Sequence, residues 1–407
     1  MDFDERPEHV QFRAEARSWL EANSEPAQVQ PVPQSAIVAE WLPEEEHAKM
    51  AAARRWQRNK YDGGWAGITW PADVGGKGLG PVESFIFSEE EHKRDVPSGE
   101  LAVGLGWLGP AINRHGSDAQ RLLYLPPMLR GDEVWCQLFS EPGAGSDLAG
   151  LATTAVRDGD IWRIDGQKVW STFAHMSDWG LLLARTDPDL PKHSGITAFV
   201  IDMHQEAVEC RPLRQITGAS NFNEVFFDGA IVSDDQRVGA VGEGWATAMT
   251  TFMHERSGGG GAAELGAEKL VEFVKECGAG DDPLVRQGVA SVYSQARALE
   301  WVGKRVMSAF MNGRMPGPEA ATFKLVYTNM ATEMNNLSLA VQGAAGALVD
   351  ASAPVNGAWQ SFFLGIPGIR IGGGTDEIQR NIMSERFLGL PGDIRVDKDV
   401  AFKDVPR

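Results

Sequence analysis

Three short blocks hold the residues best suited to chemistry. The first, 137–147, reads Gln-Leu-Phe-Ser-Glu-Pro-Gly-Ala-Gly-Ser-Asp. Its Pro/Gly loop offers backbone N–H groups, and Ser140 and Ser146 add hydroxyls, a combination suited to a flavin ring or a phosphate. Taken alone, the same residues are more simply a strand running into a turn. The second block, 166–172, reads Gly-Gln-Lys-Val-Trp-Ser-Thr. The third, 371–381, reads Ile-Gly-Gly-Gly-Thr-Asp-Glu-Ile-Gln-Arg-Asn, and Glu385-Arg386 and Leu388-Gly389-Leu390 follow it. Metal chemistry is not suggested: Cys136, Cys210 and Cys277 are far apart with no CxxC pair, which also argues against a disulfide framework and fits a reducing, cytoplasmic setting. Of the 13 tryptophans, more are expected in the core than around a wide aromatic-lined ligand site.

The elements that must position these blocks fall into three zones. The length of 407 residues calls for two or three domains. Residues 5–22 carry Phe12, Ala16, Trp19 and Leu20 at helical spacing, and helices are expected over 44–60, 81–94, 99–113 and 117–130. The period then changes to that of short strands in VWCQLF, TTAVRDGDIWRIDGQKVWST, WGLLLART, ITAFVID, VECRPL and NEVFFDGAIV. Asp158-Gly159, Asp165-Gly166 and Asp228-Gly229 read as turns between them. Helical patterns return over 243–277, 283–313, 317–352 and 375–388. The expected domains are 1–133, 134–237 and 238–407, an α+β chain. A net charge of −18 argues against nucleic acid and anionic lipid as partners, although local basic groups leave an anionic small ligand open. The first residues have no apolar h-region, and no stretch approaches the ~20 apolar residues of a membrane span.

The three blocks, in this order and over nearly the whole chain, resemble the acyl-CoA dehydrogenase family. The resemblance implies an N-terminal helical domain, a central β-barrel-like domain and a C-terminal four-helix bundle, with FAD between the last two. It implies α,β-desaturation of an acyl-CoA thioester, a step of β-oxidation-type lipid metabolism. An electron-transfer flavoprotein would be the electron acceptor. It further implies that Leu138, Ser140 and Ser146 contact flavin or substrate. Trp170, Ser171 and Thr172 would lie along the flavin, and Thr375 and Glu377 by its ribityl and phosphate region.

Two departures stand out. Many members place the catalytic base two residues before the Thr of the third block, and here that residue is Gly373, which has no side chain. A minority of the family places it in a Glu-Arg pair on the first long helix after the β-domain, and this chain has Glu255-Arg256 there. On helical spacing Ala248, Thr251, Glu255, Gly259 and Ala262 share a face, leaving room beside the glutamate, while Trp245, Met249 and Phe252 supply the core contact. Without the resemblance, Glu255 would read as a solvated residue or a partner of Arg256. With it, Glu255 is expected to be the base, Arg256 to meet the substrate, and Gly373 to offer its N–H to the thioester oxygen. The glycine run 258–261 is costly in a helix and calls for a reason, either close approach of another helix or, as the favoured reading, room for a wide acyl group. The second departure concerns a neighbouring subunit's FAD. The family's Arg-x-x-Phe-Gly segment is missing around 278–287, where the helix looks shortened, and the Gln-x-x-Gly-Gly-x-Gly loop survives only in part, at Gln342 and Gly346. This pattern is similar to members acting on bulky CoA esters, including steroid side chains, some of which are α2β2 heterotetramers rather than homotetramers. A flavin oxidase or monooxygenase on the same fold, and a non-catalytic subunit of a heteromeric dehydrogenase, are the competing expectations.

Overall fold

The computed structural model describes residues 5–27, 42–97, 99–258, 266–312, 320–392 and 394–405. The order is the expected one, helices then sheet then helices, in an α+β fold. Ahead of the sheet come α1 (Pro7–Asn23), α2 (Glu46–Asp62), α3 (Pro81–Glu91), α4 (Gly109–His115) and α5 (Asp118–Arg130). The helix expected over 99–113 is not regular: Val103–Leu108 winds as a π-helical turn before α4. Two glycines within Val-Gly-Leu-Gly-Trp-Leu weaken the α-helical preference there. By contrast α5 is punctuated by its own residues. Ser117 and Gln120 form a capping box at its start, and Gly131 closes it in the left-handed region.

The strands are β1 (Trp135–Leu138), β2 (Thr154–Asp158), β3 (Ile161–Thr172), β4 (Trp179–Arg185), β5 (Ile196–Asp202), β6 (Val208–Leu213), β7 (Phe222–Ser233) and β8 (Arg237–Val238). They form one sheet in the order β6-β7-β3-β2-β4-β5-β8, with β1 parallel beside β4. The unbroken apolar runs of β4 and β5 follow from their burial on both faces. Leu182, Ala184, Phe199 and Ile201 face one core with Cys136, Leu138 and Trp162. Leu181, Leu183, Ala198 and Val200 face another, with Ile112, Leu125 and Leu129. Two of the three Asp-Gly pairs are not turns. Asp165-Gly166 and Asp228-Gly229 lie inside β3 and β7, where the register slips between Ile164 and Asp165. Gly229, at φ +68°, is the extra residue of a bulge, and its N–H donates to Asp165 Oδ1 at 2.8 Å. Bulges and turns use the same residue types, so the sequence alone did not separate them.

After the sheet come α6 (Gly244–Gly258), α7 (Ala267–Glu276), α8 (Pro283–Met311), α9 (Ala320–Val341), α10 (Ala358–Ile371) and α11 (Asp376–Ile382). Residues 259–261 of the glycine run lie outside the described residues, as does Ala262. Helix α8 has 29 residues, close to the expected 283–313, and is capped by Asp282, whose carboxylate accepts from Leu284 N–H at 2.7 Å. The family segment missing near 278–287 is therefore replaced by a turn and a helix cap. The helix expected to reach 352 stops at Val341, because Gly343, at φ +56°, turns the chain into a 3₁₀ segment, Gly343–Ala347.

The elements collect in two compact units. One contains α2, α4, α5, the sheet, α6 as far as Glu255, and residues 394–405. The other contains α1, α3 and α7 to α11. Its core joins Leu270, Phe273, Leu299, Met330, Met334, Trp359 and Phe362 from four helices. No helix among the described residues is long and apolar enough to cross a membrane.

Candidate functional site

In the sheet-containing unit the first two sequence blocks meet. Val169 N–H donates to Ser140 O at 2.9 Å, which sets the start of the 140–147 loop beside β3. Glu141 and Ala144 exchange backbone hydrogen bonds, both 3.0 Å, so the loop is a closed turn. Beyond it Ser146 is exposed, and a Cβ placed on Gly143 or Gly145 would meet nothing within 4 Å. The loop therefore presents open backbone.

Trp170 is 61% exposed, and its backbone lies at φ +61°. A large apolar side chain in water on a non-glycine left-handed backbone is doubly unfavourable, a combination found at functional sites. The register explains how it is held. Pairing of β3 with β7 skips from Lys168 to Ser171, so Trp170 stands out on a bulge. Asn223 Nδ2 donates to Ser171 O at 3.0 Å, and Phe173 N–H donates to Asn221 O at 2.7 Å, pinning the C-terminal side. Phe222 meets the indole edge-on at 6.0 Å. Thr172 is partly exposed beside it, whereas Ser171 is 1% exposed and its hydroxyl oxygen has no hydrogen-bond partner among the described residues.

A buried ion pair pins the other side. Lys168 is 0% exposed, and its Nζ donates to Glu141 Oε1 at 2.7 Å and Phe139 O at 3.0 Å. The same carboxylate accepts from Ala152 N–H at 2.6 Å and Thr153 N–H at 2.9 Å. Burial works against the Glu141 carboxylate, but Lys168 and these donors outweigh it and hold the carboxyl below its usual range. Burial presses the Lys168 ammonium down to about 8, partly offset by Glu141. Both residues lie inside the blocks singled out from the sequence, yet neither was assigned a role there. A signal existed: Lys168 continues the inward-pointing set Trp162 and Ile164 of β3, where a charge needs a partner.

Leu138 is a correction. It is 0% exposed and packed with Cys136, Leu182 and Phe199, so it serves the β-core and offers no surface to a ligand.

Helix α6 carries Glu255, which is partly buried. Four features lock this helix to the rest of its unit. A Cβ on Gly244 would come within 2.6 Å of the Thr197 backbone, so only glycine lets the first turn sit on β5. The Trp245 ring meets His193 at 4.7 Å, and Phe252 meets Phe139 edge-on at 5.9 Å. His115 Nε2 and Thr250 Oγ1 are hydrogen-bonded at 2.7 Å. Trp245 and Phe252 pack against the core as expected, but so does Ala248, and both Ala248 and Thr251 are 0% exposed. Part of the face expected to give Glu255 room is thus core, the small residues serving close packing. Burial, followed by the charge of Arg114, lowers the neighbouring His254 from its ordinary value.

In the helical unit, Gly373 and Gly374 lie at φ +63° and +94°. Gln379 Nε2 donates to Gly373 O at 3.1 Å, and Lys324 holds the carbonyls of Gly372 and Gly374. Thr375 caps α11, its hydroxyl oxygen accepting from Ile378 N–H at 3.2 Å. Arg370 Nε donates to the buried Asp376 at 2.9 Å, and Glu377 is exposed one residue on. Gln342 already has local work: it donates to Ser338 O at 3.0 Å and accepts from Gln360 at 2.9 Å. At Gly346 a Cβ would approach Leu339 O within 2.7 Å.

Comparison with known proteins gives the decisive observation. Residues 6–132, 136–230 and 242–388 match the N-terminal, middle and C-terminal domain models of acyl-CoA dehydrogenase. The chain belongs to the acyl-CoA dehydrogenase family. Members of this family are FAD-dependent flavoproteins and oxidoreductases acting on CH–CH bonds. The dehydrogenase chain is 36% identical over 395 residues to "Acyl-CoA dehydrogenase IpdE1" of Mycobacterium tuberculosis, covering 94% of this chain and 97% of that one. Among solved structures it is similar to "Tcur3481-Tcur3483 steroid ACAD", with a TM-score of 0.79 and 27% identity over 97% of this chain and all (100%) of that one. The ChsE4-ChsE5 complex from Mycobacterium tuberculosis matches with a TM-score of 0.76 and 27% identity, covering 97% and 100%. The surface of this dehydrogenase-family chain suits FAD at Trp170, Thr172 and the open Gly143–Gly145 backbone, since a flat aromatic ligand would cover the exposed indole.

Truncating Trp170 separates fold from ligand. Trp170→Ala should leave the flavin-free protein within about 0.5 kcal/mol of the parent in denaturant unfolding, because the side chain is mostly exposed. The same variant should lose FAD on gel filtration, read as the flavin-to-protein absorbance ratio. Undiminished FAD retention would remove Trp170 from the cofactor site.

Proposed function

We propose that this protein is an FAD-dependent acyl-CoA dehydrogenase that places an α,β double bond in a bulky, branched or steroid-type acyl-CoA thioester. One observation carries it: a side-chain base is missing at Gly373 while a carboxylate stands at Glu255, on a helix locked to the Phe139–Ser140 segment. The names of the similar solved structures support the bulky substrate class, and their pairing of two chains supports an α2β2 assembly over a homotetramer.

The chemistry requires removal of a proton from the α-carbon. That carbon acid is far too weak for a solvated glutamate of pKa about 4.3. Two things close the gap. Glu255 is partly withdrawn from water on α6, which reduces competition from solvent for its carboxylate oxygens. The Gly373 N–H donates to the thioester oxygen, stabilising the negative charge that develops there as the proton leaves. A glycine suits that role because no side chain stands over its amide. Glu255 takes the proton and holds it. FAD supplies the acceptor for the hydride that leaves the β-carbon. Ser140, Ser146, Trp170, Thr172, Thr375 and Glu377 would hold the cofactor, with the buried Ser171 setting the Trp170 bulge and Gln342 and Gly346 contributing to a neighbour's. Ser146 and Arg256 would hold the acyl-CoA. An electron-transfer flavoprotein would take the electrons onward.

The test is to purify the chain, record its flavin spectrum, and add short, long, branched and steroid CoA esters without oxygen. Bleaching by bulky esters and reoxidation by an electron-transfer flavoprotein is the expected result. Fast reoxidation by oxygen alone would point to an oxidase. A colourless chain that turns yellow only with a paralogous partner would make it the non-catalytic subunit.

A further inference from the structure

The match to the family models ends at residue 388, yet residues 394–405 fold back onto the sheet-containing unit. They run along 187–194, the connection between β4 and β5. Phe402 N–H donates to Leu190 O at 2.9 Å, Lys403 N–H donates to Pro188 O at 3.0 Å, and Ala401 pairs with Pro191. Lys403 Nζ adds an ion pair to Asp189 at 2.5 Å.

Two side-chain routes lead from this segment to the 137–147 block. In the first, Lys192 Nζ lies 2.7 Å from Asp397 and 2.9 Å from both carboxylate oxygens of Asp147. Asp147 follows Ser146 directly. The ammonium is 13% exposed and sits between two carboxylates, so it bridges the tail and the block. In the second, Phe402 is 7% exposed and its ring centre lies 3.7 Å from the Arg185 guanidinium. Arg185, 3% exposed, donates to Lys192 O at 2.7 Å and to Ala149 O and Leu151 O at 2.6 and 3.1 Å. One guanidinium thus joins the tail's aromatic ring, the β4–β5 connection and the chain just past the block.

We infer that residues 394–405 are a strap that positions segment 146–151 for ligand. The segment needs such a device. Its N-terminal side is open at Gly143 and Gly145, and Asp147 itself is 63% exposed. Asp397, Phe402, Lys192 and Arg185 are positioning residues, acting through Ser146 and its backbone. The functional half of this inference rests on the assignment of Ser146 and its loop to flavin and acyl-CoA.

Point variants test it without shortening the chain. Phe402→Ala and Asp397→Asn each cut one route, and Lys192→Arg keeps the charge as a conservative control. Hydrogen exchange of the 146–151 amides should quicken about tenfold or more in the first two while the amides of β7 stay protected. FAD retention on dilution should fall, and KM for the CoA ester that bleaches the parent should rise more than kcat falls. Lys192→Arg should behave as the parent. Unchanged exchange at 146–151 in both Phe402→Ala and Asp397→Asn overturns the strap. Faster exchange with unaltered FAD retention and unaltered KM upholds the strap and overturns the assignment of the loop to ligand.

Discussion

Glu255→Gln should lower turnover of an acyl-CoA by ~10²–10⁴-fold or more, the usual cost of removing a general base, with FAD content and absorption spectrum unchanged. The substitution keeps the size and reach of the side chain while removing its charge and its capacity to take a proton. Helix position should not change, because α6 is fixed by Gly244 on β5, by Trp245 against His193, by Phe252 against Phe139 and by Thr250 to His115, none of which involves Glu255. The loss should therefore appear in kcat rather than in KM. Full turnover by the FAD-bound variant would show that the base lies elsewhere. Restoring a carboxylate at the family's commoner place should not rescue it cleanly. Gly373 lies at φ +63°, so Glu at that position carries roughly 1–2 kcal/mol of backbone strain before any chemistry.

The second large effect concerns the buried pair Lys168 and Glu141. Lys168→Met should destabilise the protein by about 3–5 kcal/mol, because it leaves a carboxylate buried without its cation. The neighbouring N–H groups of Ala152 and Thr153 soften that loss but carry no full charge. Lys168→Met with Glu141→Gln should be less destabilised than Lys168→Met alone, a coupling that urea unfolding of both single variants and the double variant measures. Additive single losses would mean the pair contributes nothing as a pair. The pH dependence has a definite sign. The folded Glu141 carboxyl sits below its ordinary value, so its contribution is complete above the unfolded range near about 4.3 and disappears as pH falls through the folded value. In Lys168→Met the sign reverses: the orphaned carboxyl is pushed up, and mild acid should recover part of the lost stability.

Much of the framework was legible in the residues. The strands were readable because apolar residues recur at alternate positions in β3, at Trp162 and Ile164, and cluster in short runs in β4 and β5 bounded by turn residues. The lack of a side-chain base at Gly373 was readable as one residue type missing from a known pattern, and that absence is what directs the proposal to Glu255. Other features could not be read that way. Leu138 was expected at a ligand and is a core residue, since one strand position in two turns inward and the block does not say which. The Asp-Gly bulges looked like turns because both need a residue that tolerates positive φ. The tail's role was hidden because its polar residues match no pattern, and it depends on Lys192 and Arg185, more than two hundred positions earlier. Long-range pairing of ordinary charged residues leaves no local period to detect.

The close seat of Gly244 on β5 has a mechanical consequence. A helix rises ~1.5 Å per residue, so Glu255 stands about 16 Å along α6 from that contact. A side chain at 244 would press the helix against its other anchors at Thr250 and Phe252, and where these yield by a tilt of about 4° the far end moves roughly 1 Å, a misplacement that can cost ~10²-fold in rate. Gly244→Ala, remote from any reacting atom, would then produce a folded, flavin-loaded protein with the kinetic signature of an active-site lesion. Mutational damage in this chain should accordingly be mapped along the axis of α6 as well as by distance from the substrate.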